Sequence, residues 1–453
     1  MSSLAHTSES GPADLRPSLF VPLLGSPLCA ECIHSAVRIL CVDCCSTVAR
    51  LTFTHHLLLA SVLFLGALAF IAMRNWETVS MMFDNASSMN EGAQVAQDIR
   101  SPDDLLTYIA AHPKQASLVA YDVNAPTEGV FYQADAVRTA TRIPVLQLMA
   151  GYAERVAQGG IRPERRVSLD SLAVFSLPGV TQSNHEQMED ALRKAERVDA
   201  ERTVTLNDAM TRIAQTGGRT ASDWWMAQQG RPAVEALPQQ LQLSNSTPPR
   251  PLTGLALLGR GASAETLSDV SSRTITQRTF ALAQRLRRDT TFRKAQYRDL
   301  DRDGSSLTLE EQRTLALRTY PHGTARDYAT LVEGIATGRT PSPNAASLLH
   351  DLLERPVTVP DSVAVPFTHV ATYGGATPGV MSFVGYARYP DRPPRVVAML
   401  LDDLPLAVMY HLLQTGIDKG LQLQLLGDRG ALSRVHNVLA SSAPTTASPG
   451  VAE

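Results

Sequence analysis

Residues 299–311 (Asp-Leu-Asp-Arg-Asp-Gly-Ser-Ser-Leu-Thr-Leu-Glu-Glu) set carboxylates at alternating positions, follow them with a glycine and close on glutamate. A hard cation such as calcium needs that arrangement: oxygen ligands on alternate residues, a sharp turn, and a late bidentate carboxylate. Asp299, Asp301, Asp303, Ser305 and then Glu310 or Glu311 are the candidate ligands. The apolar residue that should follow the turn comes one place late, at Leu307. Strict counting therefore ends the set on Glu310, and a one-residue insertion ends it on Glu311. A solvated acidic turn is the plain alternative. A second set is Cys29-x-x-Cys32 and Cys41-x-x-Cys44, whose thiolates have the pairing of a zinc site. The gap between the pairs is shorter than in a zinc ribbon, and an acylated or unpaired cluster is the other reading.

Bases for nucleophilic chemistry are scarce. The lysines are Lys114, Lys194, Lys294 and Lys419, and none follows a serine by three positions. Arginine is the abundant cation, and its guanidinium stays protonated in proteins. No G-x-S-x-G or H-E-x-x-H segment occurs.

The elements that would hold these groups follow from pattern. Ser101-Pro102-Asp103-Asp104 is a helix start, with a capping side chain, proline at the first position and acids in the first turn. Residues 117–123 and 129–132 read as strands, and 143–158 as a helix with Leu146, Met149, Ala153 and Val156 on one face. Helices are expected near 185–197, 205–215, 219–229, 274–287, 324–337 and 343–354. Strands return at 363–371, 380–389 and 395–402, before one long helix over 405–426. Strands from both ends of the chain then build one sheet, an α/β (α+β sandwich) arrangement with an all-helical subdomain beside it.

Ahead of this lies Leu51 to Met73, without a formal charge. A helix of that length reaches roughly 34 Å, enough for the ~30 Å hydrocarbon core. Arg38 and Arg50 precede it, which favours an internal N-terminus and an exported, cysteine-free body, periplasmic or extracellular. The expected organisation is a cysteine-containing tail (1–50), a single membrane anchor (51–73), a stalk (74–100), the main domain (101–439) and a disordered tail (440–453). The formal net charge is −3, so no global basic field points to nucleic acid.

The order of these pieces resembles the class A β-lactamase and penicillin-binding-protein family over roughly residues 100–430. It rests on the Leu118–Val123 strand, the Ile143-Pro144-Val145 helix entry, the Val204–Met210 helix start, Thr220-Ala221, the Thr324–Tyr328 helix start and the terminal strands. Likewise the acidic segment resembles an EF-hand loop. The family works through Ser-x-x-Lys, Ser-Asp-Asn and Lys-Thr-Gly, a hydroxyl nucleophile with its base one helical turn later. The resemblance places Thr139 and Arg142 at the first motif, Gly217-Gly218-Arg219 at the second, and Thr372-Tyr373-Gly374 at the third. Only the last glycine survives.

What the resemblance implies is therefore a β-lactamase/transpeptidase-like fold without confident catalytic residues. Arg142, Arg219 and Tyr373 should converge on one cleft. The two guanidiniums could bind a carboxylate there, such as a peptide terminus, or serve as internal ion-pair partners, which is the plainer reading. A non-catalytic, membrane-anchored protein that binds a peptide, a cell-wall fragment or a protein partner is the leading expectation. The alternative is a serine hydrolase, β-lactamase or peptidase in type, with a displaced nucleophile.

Overall fold

The computed structural model describes residues 84–261, 265–303, 307–356 and 367–441. The cysteines, the expected span 51–73, Gly304–Ser306 and the tail beyond 441 lie outside the described residues. Among the described residues no helix is long and apolar enough to cross a membrane.

Ten strands are described: β1 (Ala116–Asp122), β2 (Val130–Tyr132), β3 (Arg138–Thr139), β4 (Arg166–Ser168), β5 (Thr203–Thr205), β6 (His322–Gly323), β7 (Arg355–Pro356), β8 (His369–Thr377), β9 (Val380–Arg388) and β10 (Arg395–Leu401). The main sheet has the order β2-β1-β10-β9-β8-β7 and is antiparallel throughout. β1 and β10 pair from Ala116 opposite Leu401 to Asp122 opposite Arg395. The sheet thus joins the two ends of the domain, as the order of strand patterns requires. Two short pairs, β3 with β6 and β4 with β5, stand apart.

The longer helices are α1 (Ala93–Asp98), α2 (Pro102–Ala111), α3 (Val145–Ala157), α4 (Gln182–Lys194), α5 (Leu206–Thr216), α6 (Arg219–Gln229), α7 (Leu252–Gly261), α8 (Ser272–Arg288), α9 (Thr290–Asp303), α10 (Leu309–Thr319), α11 (Ala325–Ala336), α12 (Pro343–Leu353), α13 (Leu406–Thr415), α14 (Ile417–Gly427) and α15 (Ala431–Ser441). Their starts are chemically marked. Ser101 accepts the Asp104 N–H ahead of α2, Thr205 and Asp208 form a reciprocal capping box on α5, and Thr324 caps α11. Each such cap is worth ~1 kcal/mol.

Side-chain alternation divides the core. Along β10, Val396, Ala398 and Leu400 enter one cluster with residues of α3, α5, α6, α11 and α12. Val397, Met399 and Leu401 enter the other, with residues of α2, α13, α14 and α15. Neighbouring strand residues point to opposite faces, so a strand buried on both sides reads as an unbroken apolar run. The result is a sheet between two helical layers, one of them the all-helical subdomain.

Three expectations change. The helix expected over 405–426 is two, because Gly416 takes a left-handed φ of 68° and ends α13. The expected stalk, read as ending in helical structure, does so, but its described part is packed on the domain: Ala96 and Ile99 are buried, and Asn85 accepts the Leu309 N–H at 2.8 Å. The acidic segment enters a helix instead of a loop, since α9 runs through Asp299 and Asp301 to Asp303.

Candidate functional site

The first motif sits where β3 leads into α3. β3 is held by β6 (Thr139 opposite His322) and by Asp402 just past β10, whose carboxylate accepts the Thr139 N–H at 3.0 Å. The same carboxylate pairs with Arg138 at 2.9 Å. Thr139 is buried in this strand and does not line the cleft. Two residues on, Thr141 does. Its N–H donates to Ser382 Oγ at 3.0 Å, and its hydroxyl lies 2.6 Å from Ser382 Oγ and 2.9 Å from the Gly375 carbonyl. A consistent proton assignment has Ser382 donating to Thr141 and Thr141 donating to Gly375. The threonine hydroxyl thus ties α3's entry to β8 and β9.

Arg142 follows, and its side chain reaches across the cleft between Gly375 and Gly217. Its stem packs on Gly375, where a Cβ would lie 2.8 Å from Arg142 Cδ. Its head rests against Gly217, where a Cβ would lie 1.6 Å from Nη2, and stands 5.2 Å from the Tyr373 ring centroid. Gly217 ends α5 with a φ of 72°, a left-handed conformation only glycine adopts without strain. Of the third motif, Tyr373 faces inward and is buried while Thr372, its neighbour on β8, is exposed. Gly374 lies against the Ser382 carbonyl.

Arg219 opens α6, with its N–H on Asn184 Oδ1 at 2.8 Å and its Nη1 on the Val180 carbonyl at 3.2 Å. Burial pulls its pKa down and the charge of Arg142 pulls the same way, while Tyr320 and Asp223 oppose both. Among the described residues, neither Arg142 nor Arg219 forms a salt bridge, and Asp223 acts on Arg219 through its charge alone. One turn along α6, Asp223 is buried and caps α7, accepting the Leu252 N–H (2.8 Å), the Thr253 N–H (2.7 Å) and the Thr253 hydroxyl (2.7 Å). Burial raises its pKa to about 6 against those three bonds. Opposite, Arg250 is caged by neutral acceptors: the carbonyls of Thr319, Tyr320 and Ser272 and the hydroxyls of Thr276 and Ser272. Burial lowers its pKa to about 10.

These groups surround one cavity of about 390 Å³, which Thr141, Arg142, Gly217, Arg219, Asp223, Arg250 and Tyr373 all line. Convergence of Arg142, Arg219 and Tyr373 agrees with the expected alignment; Thr139 departs from it. The spacing rule presumed that both motif residues share a helix face, but Arg138 and Thr139 pair with β6 and the helix begins only at Val145. Sequence reading missed Thr141, Asp223 and Arg250. For Arg250 a signal existed, its position within Pro248-Pro249-Arg250-Pro251, a stiff segment that fixes a long side chain. Among the described residues no lysine, histidine or glutamate lines the cavity, and Asp223 is the one carboxylate there.

Of the calcium candidates, Ser305 lies outside the described residues, and Asp299, Glu310 and Glu311 have partners of their own. On the helix α9, Asp299 and Asp301 project in different directions, and Asp299 lies 3.8 Å from Arg298. Glu310 pairs with Arg313 at 2.7 Å, and Glu311 closes a capping box with Thr308. Among the described residues no cluster of three or more histidine, cysteine, aspartate or glutamate side chains could hold a metal.

Residues 101–411 match the sequence model of a family described as the β-lactamase enzyme family. A comparison with curated proteins finds no match. Among solved structures, a β-lactamase from Sphaerobacter thermophilus is similar at 16% identity, covering 71% of this chain and 95% of its own, with a TM-score of 0.46. One from Chitinophaga pinensis is 11% identical, covering 76% and 99%, with a TM-score of 0.42. One from Burkholderia vietnamiensis is 13% identical, covering 71% and 95%, with a TM-score of 0.42.

Proposed function

The chain belongs to the β-lactamase enzyme family, and from that premise we propose that it has kept the family's cleft while losing its acyl-transfer chemistry. It acts as a binding protein for a ligand that carries a carboxylate. The observation that supports this is the occupancy of the cleft: Arg142 lies against Gly217 where a nucleophile and its base would work. Two guanidiniums that form no salt bridge among the described residues, Arg142 and Arg219, favour an anion between or beside them. A peptide terminus or a cell-wall fragment carries that group. The competing reading is a hydrolase that uses a displaced hydroxyl, of which Thr141 is the best placed.

Incubation of the full-length chain with a labelled penicillin and a fluorophosphonate tests the proposal. No covalent label is expected. Stable labelling that disappears on Thr141→Val would overturn it in favour of the hydrolase. We further propose that the chain is held by a single span at 51–73 with its body exported, that Cys29, Cys32, Cys41 and Cys44 take zinc, and that the 299–311 segment takes calcium by unwinding the end of α9. Calcium titration followed by far-ultraviolet circular dichroism should then show lost helicity. An unchanged spectrum would count against the calcium proposal.

A further inference from the structure

A second concentration of arginines borders a hollow that shares no lining residue with the cleft. It lies at the C-terminal end of α3, where Arg155 stands beside a turn that carries Arg162, Arg165 and Arg166. The backbone brings them together. Gly159 takes a left-handed φ of 70° and folds the chain back, so the Gly160 and Ile161 N–H groups both donate to the Arg155 carbonyl (2.8 and 3.2 Å). A further turn closes from the Arg165 N–H to the Arg162 carbonyl at 3.1 Å. The hollow has a volume of about 810 Å³. Buried Trp225 also lines it and is held edge-on by Tyr152, with ring centroids 5.8 Å apart.

Charge within the hollow does not cancel. Arg166 is spent on Asp199 and Thr203, and Arg155 donates to the neutral Gln229 side chain. Arg162 and Arg165 are exposed, and among the described residues their side chains make no hydrogen bond or ion pair. Glu164 is the one carboxylate that lines the hollow, and among the described residues it forms no salt bridge. Nor do the carbonyls that end α3 absorb the arginines. Those of Glu154, Arg155 and Val156 already accept N–H groups of residues 158–161. Arg155, Arg162 and Arg165 against Glu164 leave a local positive excess on a chain whose formal net charge is −3. A long polyanion meets repulsion beyond such a patch, and a compact one does not.

We infer that this hollow binds a compact anion carrying two phosphoryl groups, a diphosphate, gripped by Arg155 from α3 and by Arg162 and Arg165 from the turn. A phosphoryl group offers oxygens in three directions to guanidiniums on separate segments, and each guanidinium pairs with it through two parallel bonds. Two segments supply the arginines, one for each phosphoryl group. The inference stands apart from the cleft and its carboxylate.

Calorimetric titration of the full-length chain with pyrophosphate, phosphate and malonate at low ionic strength tests it. Pyrophosphate should bind at least ~10-fold more tightly than either of the others. Arg162→Gln combined with Arg165→Gln, both at exposed side chains, should weaken pyrophosphate binding by ~10-fold or more. Glu164→Gln should tighten it about threefold, a gain that misfolding does not produce. Equal affinity for the three anions, or no measurable binding of pyrophosphate, would overturn the inference. So would tighter binding of a DNA oligomer, which would mark the patch as the track of an extended polyanion. Binding that is lost in Arg142→Gln and kept in the Arg162 and Arg165 double variant would put the anion in the cleft, and the inference would fail there too.

Discussion

Two pairs of arginines divide this molecule. Arg138 and Arg395 hold the sheet. Arg138 is buried against Asp402 and also donates to Ser117 and to the carbonyls of Pro113, Lys114 and Ala116. Arg395 makes a two-pronged contact with Asp122 (2.8 and 2.9 Å) and reaches the carbonyls of Leu425 and Asp428. Arg142 and Arg219, in the cleft, form no salt bridge among the described residues, and only the charge of Asp223 reaches Arg219. The same side chain therefore serves two ends. Where its donors are saturated it welds distant segments together; where they are left open it is available to something that is not part of the chain.

The sharpest way to break that contrast is to remove one member of each set. Arg138→Ala should cost about 3–5 kcal/mol in urea unfolding, since it strands Asp402 as an unpaired buried charge. A loss under 1 kcal/mol would mean the weld is cosmetic. Asp223 offers a second test, through pH. Its carboxyl releases a proton near 4 when unfolded and only near 6 when folded. Between those values the native state holds the extra proton, so this group's contribution falls as pH rises and levels off above about 6. The whole decline is about 3 kcal/mol. In Asp223→Asn that slope should vanish from the stability–pH curve, though the cap itself is weakened at every pH. A parallel curve would place the titration elsewhere.

A smaller effect connects the two halves of the cleft. Gly217→Ala should lose about 1–2 kcal/mol from its left-handed backbone, plus the cost of displacing Arg142. With Arg142→Ala already made, only the backbone part should remain, and a double-mutant cycle reads the difference. Additive losses would show that the guanidinium is not seated there. Smallest is Arg142→Ala alone, expected to cost about 0.5–1 kcal/mol in the same assay, the worth of its contact with the Tyr373 ring.

What the residues disclosed in advance was mostly local. Ser101-Pro102, Thr205 with Asp208, and Thr324 announce their helices because a cap is settled within four residues. The strands β9 and β10 were legible as short apolar runs buried on both faces. The β3–β6 pair was not, because Thr139 meets His322 across much of the chain, and that pairing is what removes Thr139 from the cleft and admits Thr141. The break at Gly416 was missed since an isolated glycine within an apolar run is tolerated by helices as often as it ends them. In the acidic segment, carboxylate spacing suits a cation loop and a solvated helix alike, and the helix won through residue 303.

The pairing of β1 with β10 carries a consequence for how the protein is born. A ribosome delivers residue 116 long before residue 401, and at ordinary synthesis rates the interval is on the order of tens of seconds. Throughout it β1 has an open edge on the side that β10 will occupy, and the helical half must collapse beside an unfinished sheet. Chains halted before residue 395 should consequently be captured by chaperones or proteases, since β1 then has no partner on that side.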